Sequence, residues 1–453
     1  MHLFRPFAAR LVPDRKTTVP ALARRLGLAG IACLLAGAVV LPAAEPEAGL
    51  RELIEQNRLL RDQAQRQQEQ IDELRSHVQR LAGEVPDRTA DNGSGGRGPG
   101  AERAGRQLVL SGFASINYFS GEDQNRYSER DFRVDEARLF VEAELRPGTY
   151  LFGELILAQR EALTEGFQLG ELYLEQENLL GDLLAPRSLN LRAGRVAVPF
   201  GEEYKVRSPV HNPLVTHSVT DFWGVDEGVV VYGEWEQLSY AFAVQNGGIS
   251  RLRDWHKSKA LVGRVGWAPL PGLYLGGSAM QTGKLDHAHE FGSEMWIGNN
   301  VFRSMGGAGT TRTFEADLAQ FDARWRGRGG HVAGAVGTGR YRDDDTAANH
   351  RRTFDFFQVE AAHDVIGRLY AAARYSELRA DRGYFLAGLG KFDRYFLGTE
   401  LTRKIARLGV GGGYRFTNDL NLKFEYTFED ARRVDGTKRP DEDQFAAELA
   451  VKF

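Results

Sequence analysis

Cysteine is all but absent: Cys33 is the only one in 453 residues. That count excludes a disulfide framework, a CxxC redox pair and a cysteine-built zinc site. Enzyme signatures are missing as well. The chain has no HExxH, no GxSxG and no P-loop lysine, so no catalytic set is expected. Long apolar runs are also lacking. The longest, Leu26 to Leu41, is too short for a comfortable helical span, and a mean hydropathy of −0.39 excludes a helical membrane protein. Charge of one sign does not dominate either. Lys+Arg number 58 against 61 Asp+Glu, a net −3 that gives no argument for a nucleic-acid partner. What is plentiful is glycine, 52 residues, which suits a large curved sheet better than a compact enzyme.

The amino terminus has the layout of an export signal. Arg10, Arg15, Lys16, Arg24 and Arg25 precede the apolar run, and Pro42-Ala43-Ala44 supplies small residues for cleavage before Glu45. Residues 1–44 are therefore expected to be a signal peptide, and the mature chain is expected to carry no cysteine. Gly30-Ile31-Ala32-Cys33 has a faint likeness to a lipoprotein box, but apolar residues continue past it.

Residues 45–82 carry a heptad seam: Leu50, Leu53, Asn57, Leu60, Ala64, Gln67, Ile71, Leu74, Val78 and Leu81 alternate in steps of three and four. This spacing predicts a periplasmic coiled coil about 45–50 Å long, from 1.5 Å per residue. A lone amphipathic helix is marginal in water, so the seam implies self-association, with a helix docked on another surface as the alternative. Leucine at d positions and Asn57 at an a position favour two strands, an inference weakened by Ala64 and Gln67. Residues 83–106, rich in Gly and broken by Pro86 and Pro99, read as a flexible linker.

From 107 to 453 the pattern is dyad. The last segment, Phe445-Ala-Ala-Glu-Leu449-Ala-Val451-Lys-Phe453, puts apolar residues on one face and Glu448 and Lys452 on the other. Such a strand suits lipid on one side and water on the other. Short turns fall near 146–149, 181–188, 234–237, 269–272, 326–330, 364–368 and 417–420. Longer polar segments fall near 119–131, 159–167, 199–226, 246–258, 282–312, 342–352, 379–405 and 430–442. Seven short turns, eight long loops and one more give sixteen strands, an all-β antiparallel transmembrane barrel with both ends at the short-turn side. Trp235, Trp267, Trp325, Tyr414 and Phe416 gather near short turns on the lipid-facing phase, as an interfacial girdle does.

The runs Arg133 to Leu145, Leu191 to Glu202 and Gly411 to Lys423 resemble the phosphate-selective porin O and P family over about 107–453. The resemblance implies a sixteen-stranded trimeric outer-membrane channel, with lipid, the barrel-assembly machinery and small hydrophilic solutes as partners and no cofactor. The ending Leu449, Val451, Phe453 looks like the C-terminal sorting signal of bacterial outer-membrane barrels. Passive diffusion through a weakly selective, water-filled lumen is the expected function. An envelope tether whose coil contacts the cell wall or a partner is the alternative.

Facing assignments put Arg138, Glu142, Glu144, Arg192, Arg264, Arg324, Glu360, Arg374, Lys423 and Glu425 toward the lumen. Adding Glu154, Glu171, Glu175, Glu234, Glu236, Asp322 and Glu448 against Lys452 leaves carboxylates in excess, the opposite of an anion funnel. The third long loop is the expected constriction, with Lys205, Arg207, His211 and His217 beside Glu202 and Glu203. A loop lying on the rim with its charges solvated is the alternative. Loop 282–312 is a second candidate; its His287, His289 and Glu290 lack a third spaced ligand, so no metal site is expected there. Asp343-Asp-Asp345 reads as a solvated loop tip.

Overall fold

The computed structural model describes residues 108–160, 167–248 and 254–453. The expected signal peptide, coiled coil and linker lie outside them. The described residues form one closed sixteen-strand antiparallel barrel. Its walls are β1 (Leu108–Gly121), β2 (Phe132–Arg146), β3 (Thr149–Ala158), β4 (Gln168–Gln176), β5 (Asn190–Ala197), β6 (Phe222–Trp235), β7 (Leu238–Gln245), β8 (Ala260–Leu270) and β9 (Leu273–Gln281). They continue, after three short strands inside a loop, with β13 (Thr313–Gly327), β14 (Gly330–Asp343), β15 (Arg352–Ile366), β16 (Leu369–Tyr384), β17 (Thr402–Arg415), β18 (Leu420–Arg433) and β19 (Gln444–Lys452). The three loop strands are β10 (Leu285–Asp286), β11 (Gly292–Ile297) and β12 (Asn300–Arg303). Short turns and long loops alternate as the sequence predicts, and both ends of the sheet lie on the short-turn side.

Alternation decides which face is which. On β18, Phe424 is 48% exposed and points out, while Lys423 beside it is fully buried inside. Tyr426 and Phe428 continue the outer row, and Glu425, Thr427 and Glu429 the inner one. An arginine or lysine on the outer row would cost about 2–4 kcal/mol at mid-membrane, which is why the charges keep phase. Trp235, Trp267, Trp325, Tyr414 and Phe416 are all exposed near short turns, as a girdle requires.

Closure joins β1 to β19, from Phe113↔Lys452 to Gly121↔Gln444. The Gly112 and Phe453 backbones exchange two hydrogen bonds of 3.0 Å at the seam. A Cβ on Gly112 would stand 2.5 Å from the Arg138 carbonyl and 2.7 Å from the Phe453 ring, so this crossing needs a glycine.

Two boundaries differ from the sequence reading. Residues 222–226 belong to β6, not to the preceding loop, because β11 inserts beside them and pairs Met295↔Gly224 and Ile297↔Phe222. Residues 379–384 extend β16, and 402–405 open β17. The β11–β12 hairpin also changes the interior at the long-loop end. Met295, Ile297 and Phe302 pack with inward Phe222, Phe314, Tyr341, Phe354, Phe356, Leu378 and Tyr384 in an apolar cluster. That half of the β13–β17 wall is thus lined for packing, whereas the short-turn half is lined with charge.

Candidate functional site

Residues 198–221, the third long loop, leave β5, run inside the barrel and return to β6. Gly201 N–H donates to Ser278 Oγ at 3.0 Å, and Glu202 accepts from the Tyr274 hydroxyl at 2.7 Å and meets Arg264 at 3.0 Å. These contacts hold the first stretch to β8 and β9. The next stretch crosses to the opposite wall. Lys423 Nζ donates to the carbonyls of Pro209, Asn212 and Leu214 at 2.7–3.1 Å. Glu425 accepts the backbone N–H of Val215 at 2.7 Å, and the N–H and hydroxyl of Thr216 at 2.6 and 2.7 Å. Arg374 donates to the Thr216 carbonyl and to Asn212 Oδ1, both at 2.7 Å, while its Nε holds Glu360. Arg407 donates to the His217 carbonyl at 2.9 Å, and Ser376 Oγ accepts from Val219 N–H at 3.1 Å. Arg160 reaches the Val215 carbonyl at 2.8 Å.

The loop is therefore fastened by charged side chains that the strands present on their inner phase. Hydrogen bonds to charged groups contribute about 1.5–3 kcal/mol each, and the larger effect is the cost of leaving any one of these buried groups without its partner. The rim alternative does not describe this loop.

The expected constriction residues take different roles. Arg207 is buried, with Nε 2.6 Å from Asp221 Oδ2 and its guanidinium 4.1 Å from the Trp223 ring centroid. His217 is buried too, its Nδ1 3.3 Å from the same Asp221 oxygen. Burial, aided by the Arg207 charge, pushes the His217 imidazole down to about 3. It is neutral at physiological pH, so it adds no positive charge to the expected constriction. Glu203 accepts from the Ser218 hydroxyl at 2.6 Å, and burial raises its pKa. Glu202 lies 3.1 Å from Lys205 Nζ. Lys205 and His211 are the more exposed of the basic residues expected here.

Two cavities flank the turn at 203–206. One, about 310 Å³, lies toward β1–β6 and is lined by Phe113, Arg138, Phe140, Glu154, Glu171, Trp223 and Lys452. The other, about 290 Å³, lies toward β9 and β13–β16, beside Tyr274, Asp322, Arg324, His331, Glu360 and Arg374. Lys205 and His211 border both.

The strand charges fall as follows. Arg138 meets Glu154 at 2.7 Å and Arg192 meets Glu175 at 3.2 Å. Arg192 also lies 4.8 Å from the ring centroids of Tyr173 and Tyr232. Arg324 lies over the Tyr274 ring. Glu142 is exposed and Glu144 half-buried on the same strand phase as Arg138. Leu449, Val451 and Phe453 are exposed on the outer row.

No protein-family model matches the chain, and no curated protein matches its sequence. Solved structures do match in shape. The outer-membrane channel DcaP of Acinetobacter baumannii is similar over 78% of this chain and 99% of its own, at 11% identity and a TM-score of 0.51. The outer-membrane protein OmpT of Vibrio cholerae follows, over 76% and 97% at 11% identity and 0.49. An anion-selective porin from Comamonas acidovorans covers 77% and 100% at 11% identity and 0.47. The fold likeness rests on the first of these. This chain has a porin-type barrel.

The inward charge count gains arginines and carboxylates together. Arg160 is buried against Asp135 and lies 3.6 Å from Glu448, and Arg407 meets Glu429 at 2.6 Å. Neither arginine, nor its partner Asp135 or Glu429, is in the inward count made from the sequence, so the balance of that count is unchanged. Arg407 is readable, since Leu408 and Val410, which follow it on the other phase, are outward. Arg160 lies just past β3, where strand phase gives no direction. Asp343 is also misread as a solvated tip: its buried carboxylate accepts from His350 Nδ1 at 2.8 Å, and Asp344 accepts from Arg312 N–H at 2.8 Å.

Proposed function

We propose that the protein is an outer-membrane porin through which small hydrophilic solutes or ions pass by passive diffusion with weak selectivity. The observation that carries this reading is the third long loop, fastened across the interior of a closed barrel with charge-lined cavities on both sides. A barrel with an apolar outer row and a charged inner row is stable only with lipid outside and water or partnered charge inside. Solutes would pass beside the 203–206 turn, where Lys205 and His211 face both cavities.

Weak selectivity follows from pairing. Arg138, Arg192, Arg207, Arg264, Arg374 and Lys423 each stand beside a carboxylate, so the lining presents opposed charges rather than a field of one sign. The anion selectivity of the phosphate-selective porins is therefore not carried over with the resemblance. We further propose a homotrimer, with residues 45–82 as a periplasmic clamp and 83–106 as its tether.

One observation favours the second reading, an anchor or tether. The β11–β12 hairpin fills part of the long-loop half with apolar packing, as an immobile plug would. Planar-bilayer recordings separate the two. Discrete conductance steps from the purified protein support the channel; a silent bilayer with folded protein inserted supports the anchor.

A further inference from the structure

We propose that Asp254, His256 and Glu290 form a divalent-cation site, suited to zinc, that staples two long loops together at the mouth of the barrel. Asp254 and His256 lie in the β7–β8 loop, and Glu290 lies in the loop that carries the β11–β12 hairpin. One ligand atom from each residue falls within 4.8 Å of the others.

His256 is the observation that points to a ligand. Its side chain is only 6% exposed, yet neither ring nitrogen makes a hydrogen bond among the described residues. Nε2 faces Glu290 Oε2 at 3.3 Å and Asp254 Oδ1 at 3.7 Å. An imidazolium placed there to neutralise two acids would aim an N–H at one of them. Ligand atoms about 2.0–2.2 Å from a tetrahedral zinc ion are about 3.3–3.6 Å apart, close to these separations.

Both carboxylates are held in place by other contacts. Asp254 Oδ1 accepts the His256 backbone N–H at 3.0 Å, and Lys259 binds its other oxygen. Glu290 Oε2 accepts the Asp286 backbone N–H at 2.9 Å, and the Glu290 N–H donates to the Asp286 carbonyl at 2.8 Å. With Lys259 offsetting one acid, a neutral imidazole and the two carboxylates leave about one negative charge to receive the ion. One imidazole with two carboxylates suits a borderline ion such as zinc; calcium takes oxygen ligands alone. The remaining coordination positions would be filled by water.

The consequence is mechanical. An ion here ties the loop that carries the apolar plug to the neighbouring loop, so binding would hold the hairpin in place.

The test is titration of the full-length protein in detergent with zinc chloride, followed by calorimetry. One equivalent should bind. His256→Gln and Glu290→Gln should each weaken binding by at least the 10–100-fold seen when a mere outer-shell partner of a metal is lost. His289→Gln is the control: that ring is exposed, stacks on Trp255 at 4.1 Å and bonds Asp286, outside the cluster. It should leave binding unchanged. Altered mobility on heating in gels shows that each variant is folded. If a variant does not fold, hydrogen exchange of the wild type decides: zinc should slow exchange in 254–259 and 286–291. No zinc uptake by the wild type overturns the proposal. So does binding that survives His256→Gln, binding lost with His289 instead, or calcium competing equally with zinc.

Discussion

Arg207 and Asp221 lie fourteen residues apart in the loop inside the barrel, on either side of the stretch that the strands fasten, and meet at 2.6 Å with both side chains buried. The pair closes the loop on itself as the strands fasten its middle. Breaking one partner strands the other charge away from water, a loss of about 3–5 kcal/mol, whereas replacing both by apolar residues of similar size is often near neutral. Asp221→Asn should therefore expose 198–221 to proteolysis, and Arg207→Met with Asp221→Leu should restore most of the protection. Equal cleavage of the wild type and Asp221→Asn would show that the pair does not close the loop.

Acid should loosen the same loop through His217. Its docked value of about 3 lies below the usual 6.5, so a released loop binds the extra proton between those limits. Docking is then fully favourable above about pH 6.5 and weakens as pH falls toward 3, by a few kcal/mol in all. Glu203 acts in the opposite sense, since its pKa is raised by burial and the docked loop takes its proton first. Arg207, Asp221 and Arg407 are the other charged groups at this site. Between pH 6.5 and 4 the two shifts largely offset in the wild type, so proteolysis of 198–221 should change little there and should fall in His217→Gln, where Glu203 acts unopposed. An identical profile in both would assign the effect to other groups.

The barrel was legible because membrane strands obey two local rules, alternation along a strand and turn chemistry between strands. Those rules place Phe424 outside and Lys423 inside without knowledge of any partner. They also identify 198–221 as a long loop of mixed charge. They cannot say that Lys423 will hold three carbonyls of that loop, because the contact spans more than two hundred residues. The β11–β12 hairpin is hidden for the same reason. Gly292–Ile297 reads as loop until β6 is beside it, and nothing local marks that pairing. That His217 adds no charge to the constriction follows from its burial, which residue type alone does not reveal.

Barrel closure should depend on Gly112 and Phe453 together. Gly112→Val must displace the Phe453 ring or the Arg138 carbonyl, an overpacking cost of about 1–3 kcal/mol at the seam. Deleting Phe453 removes both backbone hydrogen bonds to Gly112 and the exposed terminal ring. Both changes should lower the fraction of heat-modifiable, folded protein in outer-membrane fractions. Wild-type yields from either variant would mean that the seam tolerates a gap.

If the coil is an auxiliary clamp, deleting 45–105 should leave trimers that run normally on native gels, because barrel walls would supply most of the buried area. The seam contains Asn57, Ala64 and Gln67 and is only moderately apolar. Monomers from the truncated chain would move the principal contact to the coil.

Selectivity should be set at Lys205 rather than Arg207. Lys205 keeps 39% of its side chain exposed, borders both cavities, meets Glu202 at 3.1 Å and lies over the Tyr274 ring. Arg207 is buried in its pair with Asp221, so a charge reversal there would undo the loop before it reported on ion passage. In a KCl gradient, the wild type should give a reversal potential near zero or slightly toward potassium, because paired inward charges cancel at the distances an ion feels. Lys205→Glu should move it further toward potassium with conductance retained. Lys452 lines one cavity and Arg324 and Arg326 the other, whereas Lys205 and His211 border both. Strong chloride preference in the wild type, abolished by Lys205→Glu, would show that this one ammonium governs the barrier and would restore an anion-selective channel.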